Sequence, residues 1–537
     1  MFDQAFEQLA ASTGTPVDYV KLFSLFLVSY PLAIPLAYLP ARVKHTVNIS
    51  VTTFYLYGIL QLKLSYLQVL ANCLITYYIT NANVGGAKNM PWIVFIFQMG
   101  HLTINHLVRA FGNIPLTTIE ITAMQMVLCM NLTSFAWSVH DGKNRNLEEC
   151  DEQQKSHRIT EFPELLEFLG YAFYFPGVLV GPSSRFTDYR AWASGDLYKT
   201  KDKLPPSGRF VAGLTELTLG LAFMGFWSVF TPKYYYDALL LPANDPESAL
   251  RLSPLARIWY VTIVGITART KYYGIWNLTN GACIISGLSY NGIAKDGQSS
   301  KWDRCKNINV SGVEFANNWK ELLDNWNMNT NVWLRNNVYK RVARPGKKPG
   351  FKSTMMTFLT SAFWHGVAPG YYFTFVLGGL LQSVGKSMRA HLRPFVFANV
   401  RTPNPTYSSV TKYTPKQLIY CTLSVVFVQL TMNFAAMPFM LLEVGKSWAG
   451  WKHLYFYGIV AAIAPMIAFR AGLGRALDNL SGVTATKKRE RQEREKMASP
   501  SNGNLQVPNV DAVEREAIKA GQEAKESIEG TIEKHTN

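Results

Sequence analysis

One histidine, His365, lies in a tract from 353 to 385 that contains no Asp, Glu, Lys or Arg. Its neighbours read Ser361-Ala362-Phe363-Trp364-His365-Gly366. An ionisable side chain at membrane depth costs ~2.5 kcal/mol or more, so it usually faces a protein interior or a wet cavity and has a function there. A neutral imidazole, with an unperturbed pKa of about 6.5, can take a proton from a hydroxyl as that oxygen attacks. The plainer alternative is a core histidine whose two nitrogens are satisfied by adjacent helices.

Upstream lies a second unusual cluster. Asn325, Asn327, Asn329, Asn331, Asn336 and Asn337 place six asparagines within 13 positions, just ahead of the apolar tract. Asn disfavours helix interiors and needs partners when buried. Its amide can also donate to a carbonyl or to a developing oxyanion. Solvated turn residues would give the same composition. Between the two clusters runs a basic strip of Arg335, Lys340, Arg341, Arg344, Lys347, Lys348 and Lys352, around Pro345-Gly346 and Pro349-Gly350. Such a strip suits a loop beside anionic lipid and equally a dock for a phosphorylated cosubstrate.

These residues need elements to carry them, and the elements are apolar. The chain has 537 residues and is 48% hydrophobic. A hydrocarbon core takes about 20 apolar residues per helical span. Candidate spans are 22–41, 47–62, 64–80, 89–108, 121–139, 168–184, 210–232, 272–294, two halves of 353–385 broken at Gly366, Pro369 and Gly370, 417–442 and 454–469. The stretch 258–268 is short and reads as re-entrant or as part of a longer tilted helix. The expectation is an all-α polytopic membrane protein with about 11 spans, plus interfacial or re-entrant helices. The segment 1–15 has no basic leader pattern, so the first span is expected to remain as an anchor. Polar excursions at 141–167 and 295–352 interrupt the membrane region. Within the second, Val313, Phe315, Trp319, Leu322, Leu323 and Trp326 are spaced for an amphipathic helix, though a connecting loop with helical pieces fits as well.

The division expected is a membrane domain over 1–475 and a charged, largely disordered tail over 476–537. The tail's basic run, Lys487 to Lys496, places it in the cytosol. The formal net charge of +17 fits basic cytosolic loops; no nucleic-acid motif accompanies it. The six cysteines include no C-x-x-C pair, which points to neither a disulfide framework nor a zinc site. No His is followed five residues later by Asp, and no Gly-x-Ser-x-Gly elbow occurs. Gly385-Lys386-Ser387 lacks the leading glycine of a phosphate loop, with Leu at 380. His101 and His106, five apart, share no helical face and read as structural.

Taken together, Asn325 to Arg335, the basic Pro-Gly loop and Ser361-Ala-Phe-Trp-His-Gly-Val-Ala-Pro-Gly-Tyr-Tyr372 resemble the membrane-bound O-acyltransferase family, in particular its fungal lysophospholipid acyltransferase branch. Further resemblance lies in Phe175 to Ser183 with Phe186, Asp188, Tyr189 and Trp192, in Ser134 to Trp137 with Asp141-Gly142, and in Arg269 to Tyr273. It spans roughly 15–475. The resemblance implies an intramembrane chamber with a catalytic His, mapping onto His365, and a catalytic Asn. Asn329 fits best, with Asn327 and Asn331 as alternatives. The implied substrate-binding residues are Trp326, Asn327, Asn331, Trp333, Arg335, Trp364, Tyr371, Tyr372, Lys347 and Lys348.

The implied reaction transfers a long, unsaturated acyl group from acyl-CoA to the free hydroxyl of a lysophospholipid, in the endoplasmic reticulum membrane. No metal is needed and no bound cofactor is expected; acyl-CoA is a cosubstrate. Partners are lysophospholipid and membrane lipid, not nucleic acid, and the choice between monomer and homodimer stays open. The alternatives are a sterol, diacylglycerol or protein acceptor, or a lipid transporter without catalysis.

Overall fold

The computed structural model describes residues 3–115, 117–342, 350–397 and 410–482. Among them helices dominate and strands are absent, apart from one isolated bridge between Ile293 and Ser300. The chain divides into two units, Met1–Gly474 and Arg475–Asn537. Of the second, only 475–482 are described, so most of the expected tail lies outside the described residues.

The elements that matter below are α1 (Val17–Leu36), α2 (Ala41–Thr53), α3 (Lys63–Asn81), α4 (Gly86–Phe111), α5 (Thr122–Lys143), α6 (Arg209–Phe230), α7 (Pro254–Ser286), α8 (Met328–Leu334), α9 (Phe351–His365), α10 (Pro369–Leu392) and α11 (Pro415–Leu441). Three of them, α1, α6 and α11, are long and apolar enough to cross a membrane, and the pair Val444–His453 and Tyr457–Arg470, bent by 80°, makes a fourth if counted as one span. Many other helices carry polar groups that pair with each other. In α3 and α4, Gln98 Nε2 donates to Asn72 Oδ1 at 3.0 Å and to Thr76 Oγ1 at 2.6 Å. His101 meets Gln68 and Asn72 at 2.8 Å each. Such helices hide their polarity against each other, which lowers their hydropathy without exposing a charge.

Two expected spans take another form. The segment 168–184 is not a span. Pro176, Gly177, Gly181 and Pro182 break it, leaving the short helices Leu165–Ala172, partly buried, and Phe175–Val178, buried in the core. The stretch 258–268 and the expected span at 272–294 are one 33-residue helix, α7. Its start is a local signal: Ser253 Oγ accepts from Ala256 N, and Pro254 occupies the first turn. Its end is another: Gly287, at φ +92°, takes the left-handed cap conformation. At 1.5 Å per residue, α7 is roughly 50 Å long. It packs on α1, α6 and α11. Close approach to α6 relies on Gly213 and Gly220, where a Cβ would come within 2.6 Å of Ile285 and 2.7 Å of Leu278.

The Arg269-to-Tyr273 segment of α7 is a structural knot. Arg269 bonds Glu314 at 3.0 and 2.8 Å and Asn433 at 2.5 Å, and Tyr273 Oη donates to Glu314 at 2.6 Å. The pairing ties α7 and α11 to the short helix Val310–Glu314. The amphipathic stretch near it is two helices, Val310–Glu314 and Trp319–Asn325, rather than one.

Candidate active site

His365 ends α9. Gly366 follows at φ +139° and ψ −169°, a region open essentially to glycine alone. A Cβ there would also meet Tyr371 at 3.1 Å and His106 at 3.4 Å. Pro369 then opens α10 at a position where proline is favoured. At Gly370 a Cβ would lie 2.0 Å from Pro438 O, and Gly370 N donates to Leu442 O at 2.8 Å. The Trp-His-Gly-x-x-Pro-Gly-Tyr motif is therefore a helix–break–helix corner that brings Tyr371 back over the histidine.

The imidazole of His365 is surrounded by rings. Trp364 lies 4.7 Å away, Phe439 5.0 Å, Phe375 5.1 Å and Tyr371 5.9 Å, centroid to centroid. It makes no hydrogen bond among the described residues, and its ring is only half-buried. A satisfied core histidine would have bonded its nitrogens; this one keeps both free. Its neighbour is fixed instead: Trp364 Nε1 donates to Met126 O at 3.1 Å, and His106 Nε2 bonds Trp364 O at 3.2 Å. His106 is thus a structural histidine that holds the backbone beside His365.

The asparagine block divides into anchored side chains and two that are largely free, Asn329 and Asn336, the latter making no side-chain hydrogen bond among the described residues. Asn327, at φ +43°, accepts through Oδ1 from Asn307 Nδ2 at 3.0 Å and from Thr330 Oγ1 at 2.8 Å. Asn331 Nδ2 caps Leu323 O at 3.0 Å and Asp324 Oδ1 at 3.3 Å. Asn325 bonds Glu321 O and Asn309, both at 2.8 Å. Asn329 is placed by its backbone, whose N–H donates to Asn307 Oδ1 at 3.0 Å; its Nδ2 makes one long bond to Cys305 O at 3.4 Å, and its Oδ1 has no partner. Of the three candidates, Asn329 has the carboxamide left for a ligand.

Asn329 lines a polar cleft. One wall is the stripe Met130, Ser134, Trp137, Ser138 and Asp141 of α5, at helical spacing. The facing wall is Asn329, Val332, Trp333, Asn336 and Asn337, where α8 continues into a wider π-helical turn over Arg335–Tyr339. The walls are pinned together by Trp333 Nε1 on Thr133 Oγ1 and Asn337 Nδ2 on Ser134 Oγ, each at 2.9 Å. The helix Glu152–His157 closes one side. The segment after it passes close to α5 because Gly142 has no Cβ, which would sit 1.9 Å from Ile159 O. Asp141 accepts from Arg341 at 3.0 and 2.5 Å and from Arg145 at 3.0 Å, and Arg341 also lies 4.0 Å over the Trp137 ring.

His365 is not among the residues lining this cleft. Trp333, which lines the cleft, lies 5.9 Å from Trp364, whose ring packs on His365. Other expected contacts are dispersed. Trp326 packs on Tyr272, Tyr273 and Trp276, 5.7, 6.0 and 5.2 Å away. Arg335 is exposed, and Tyr372, half-buried, makes no side-chain hydrogen bond. Lys347, Lys348 and Arg344 lie outside the described residues. Within the basic strip, Lys340 is tied to Asp151 at 2.6 Å. The reading from residue types passed over Ser138, Ser183, Ser184, Arg185 and His157 of the cleft. The three- and four-residue spacing along 130–141 and 329–337 is the signal that could have revealed its two walls.

Residues 107–414, which contain both His365 and Asn329, match the family described as MBOAT, membrane-bound O-acyltransferase family. The chain is 37% identical to a Lysophospholipid acyltransferase of Schizosaccharomyces pombe, across 96% of this chain and 99% of that protein. It is 34% identical to a Lysophospholipid acyltransferase of Saccharomyces cerevisiae, across 98% and 86%. Identity to the Membrane-bound glycerophospholipid O-acyltransferase 1 of Mus musculus is 28%, across 69% and 72%. A match over more than half of the sequence, with near-complete relatives beyond it, makes this helical protein a member of the membrane-bound O-acyltransferase family.

Proposed function

We propose that this chain is a lysophospholipid acyltransferase that takes a long, unsaturated acyl group from acyl-CoA. The observation that carries the chemistry is His365, an imidazole without a hydrogen bond in a ring of aromatic side chains. The near full-length likeness to two fungal proteins of that name supports the acceptor class.

In the reaction, a ring nitrogen of His365 removes the proton from the lysolipid hydroxyl as its oxygen attacks the thioester carbon. The carbonyl electrons move onto oxygen, where the Asn329 amide donates to the oxyanion. Collapse re-forms the carbonyl and breaks the C–S bond. The departing thiolate takes the proton from the imidazolium, which yields phospholipid and free CoA and returns the histidine to neutrality. The acyl chains suit the apolar side of the Trp333–Trp364 pair, and the phosphate-bearing parts suit the polar cleft.

About 11 spans, the endoplasmic reticulum membrane and a cytosolic tail complete the proposal; the apolar tracts and the basic run at 487–496 support them. The test is a microsomal assay with oleoyl-CoA and labelled lysolipids, comparing lysophosphatidic acid with choline, ethanolamine, serine and inositol lysolipids, and with sterol and diacylglycerol as competing acceptors. The expected product is a diacyl phospholipid that disappears in His365→Ala. Acylation of sterol or diacylglycerol alone would refute the acceptor, and an active His365→Ala protein would refute the base.

A further inference from the structure

The polar cleft holds a cation that no side chain among the described residues pairs by contact, although the Asp188 and Asp151 carboxylates act on it from farther away. Arg185 lines it and is half-buried, yet its guanidinium makes no hydrogen bond, ion pair or ring contact among the described residues. Other cations nearby are paired, Arg341 and Arg145 on Asp141, Lys340 on Asp151, and Arg304 on Asp188 at 2.5 Å, whereas Arg335 is exposed. Asp141 is the single carboxylate among the lining residues, and it already serves two arginines. The cleft is therefore net positive.

A cation withdrawn from water without a partner is destabilising, and proteins seldom keep one that has no counterion to meet. The surroundings supply the rest of an anion site. The hydroxyls of Ser138, Ser183 and Ser184 line the same cleft and make no side-chain hydrogen bond among the described residues. His157, bonded to Thr187 Oγ1 at 2.9 Å, is held at about 3 by burial and by the Arg185 and Arg304 charges, so it stays neutral at physiological pH. A planar guanidinium beside free hydroxyls matches a phosphate, which offers several acceptor oxygens and takes paired N–H donors.

We infer that Arg185 anchors a substrate phosphate in this cleft, on the same cavity wall system as the Asn329 carboxamide. The inference rests on the acyltransferase reading and extends it by assigning a binding residue. Both substrates carry phosphate: the lysolipid as its headgroup diester, and acyl-CoA on its nucleotide.

Full-length protein in detergent or nanodiscs separates the two sources. Arg185→Gln is expected to raise KM for one substrate about 10- to 100-fold, the effect of losing a charged hydrogen-bonding partner, with little change in kcat. Arg185→Lys recovers part of the loss. If the lysolipid is held, R185Q narrows the preference for lysophospholipid over monoacylglycerol as acceptor. If CoA is held, it narrows the preference for acyl-CoA over acyl-pantetheine, which lacks the nucleotide phosphates.

Because no protein group holds Arg185, R185Q leaves the ligand-free melting temperature unchanged or raises it. A marked loss of stability would make the residue structural and overturn the inference. So would unchanged KM values for both substrates, or a fall in kcat alone. A binding readout is independent of turnover: CoA or glycerophosphocholine raises the melting temperature of the wild-type protein and not that of R185Q. A wild-type protein that acylates no lysolipid defeats the proposed function, whereas an active one whose R185Q variant keeps both KM values defeats only the phosphate anchor.

Discussion

Around His365 the protein presents rings, and around Asn329 it presents hydroxyls, amides and paired charges. The first setting leaves an imidazole without competitors for its lone pair. The second is crowded with donors and acceptors, among which Asn131 and Asn337 are already hydrogen-bonded. A thioester with a fatty chain and a nucleotide tail needs both settings within one molecule. Hydrocarbon is cheap to place among rings, while phosphate is cheap to place only among donors. The contrast suggests how a membrane enzyme can keep the base apart from the charges that would hold it protonated or bonded.

The largest effect expected from this contrast is at the proposed base. His365→Ala lowers kcat about 100- to 10,000-fold, the usual contribution of a positioned acid–base group, while the detergent-purified protein keeps its elution profile. Normal turnover in that variant would end the comparison, since the aromatic side would then hold no catalytic group.

Next comes the carboxamide. Asn329→Ala lowers kcat about 100- to 1,000-fold, as removal of one oxyanion donor does. Asn331→Ala, whose amide serves Leu323 O and Asp324, costs stability instead, about 1 kcal/mol read from thermal unfolding. Equal kinetic losses from the two changes would erase the distinction between a spent asparagine and a free one.

A smaller effect is expected at the boundary. His106→Leu removes the bond to Trp364 O and lets the residue before His365 shift, which lowers kcat about tenfold with KM for both substrates unchanged. A KM change without a kcat change would move His106 from positioning to binding.

The smallest effect separates the two settings by pH. Folded His157 titrates at about 3, against 6.5 for an unperturbed histidine, because burial and then Arg185 and Arg304 oppose its charge. Between those values the unfolded chain binds more protons than the folded one, so stability falls as pH falls through that window. His157→Gln is expected to lose less melting temperature than the wild type between pH 7 and pH 5. Identical curves would show that the cleft exerts no such field.

Much of the corner around His365 could be read in advance, because its signals are local. Gly366 marks a backbone turn that only glycine makes, and Pro369 marks a helix start. The break in the 353–385 tract therefore fell where Gly366 and Pro369 predicted it. The two short helices over 165–178 were not read in advance: the apolar character of 168–184 pointed to a span despite Pro176 and Gly177. The cleft was much less legible. Its walls come from α5 and from α8 with its π-turn, some 200 positions apart in the chain, as the Trp333–Thr133 bond records. The basic strip misled for a related reason: Arg341 and Lys340 look free in sequence and are consumed by Asp141 and Asp151 in space.

Residue order alone determined the helical character, the corner at His365 and the pool of asparagines, because helix starts, turns and apolar runs depend on neighbours within a few positions. Tertiary packing decided which asparagines stay free, which arginine lacks a contact ion pair, and which histidine goes unbonded. Those outcomes depend on partners brought together from distant segments, and a hydrogen bond or ion pair exists only where the folded chain delivers both halves of it.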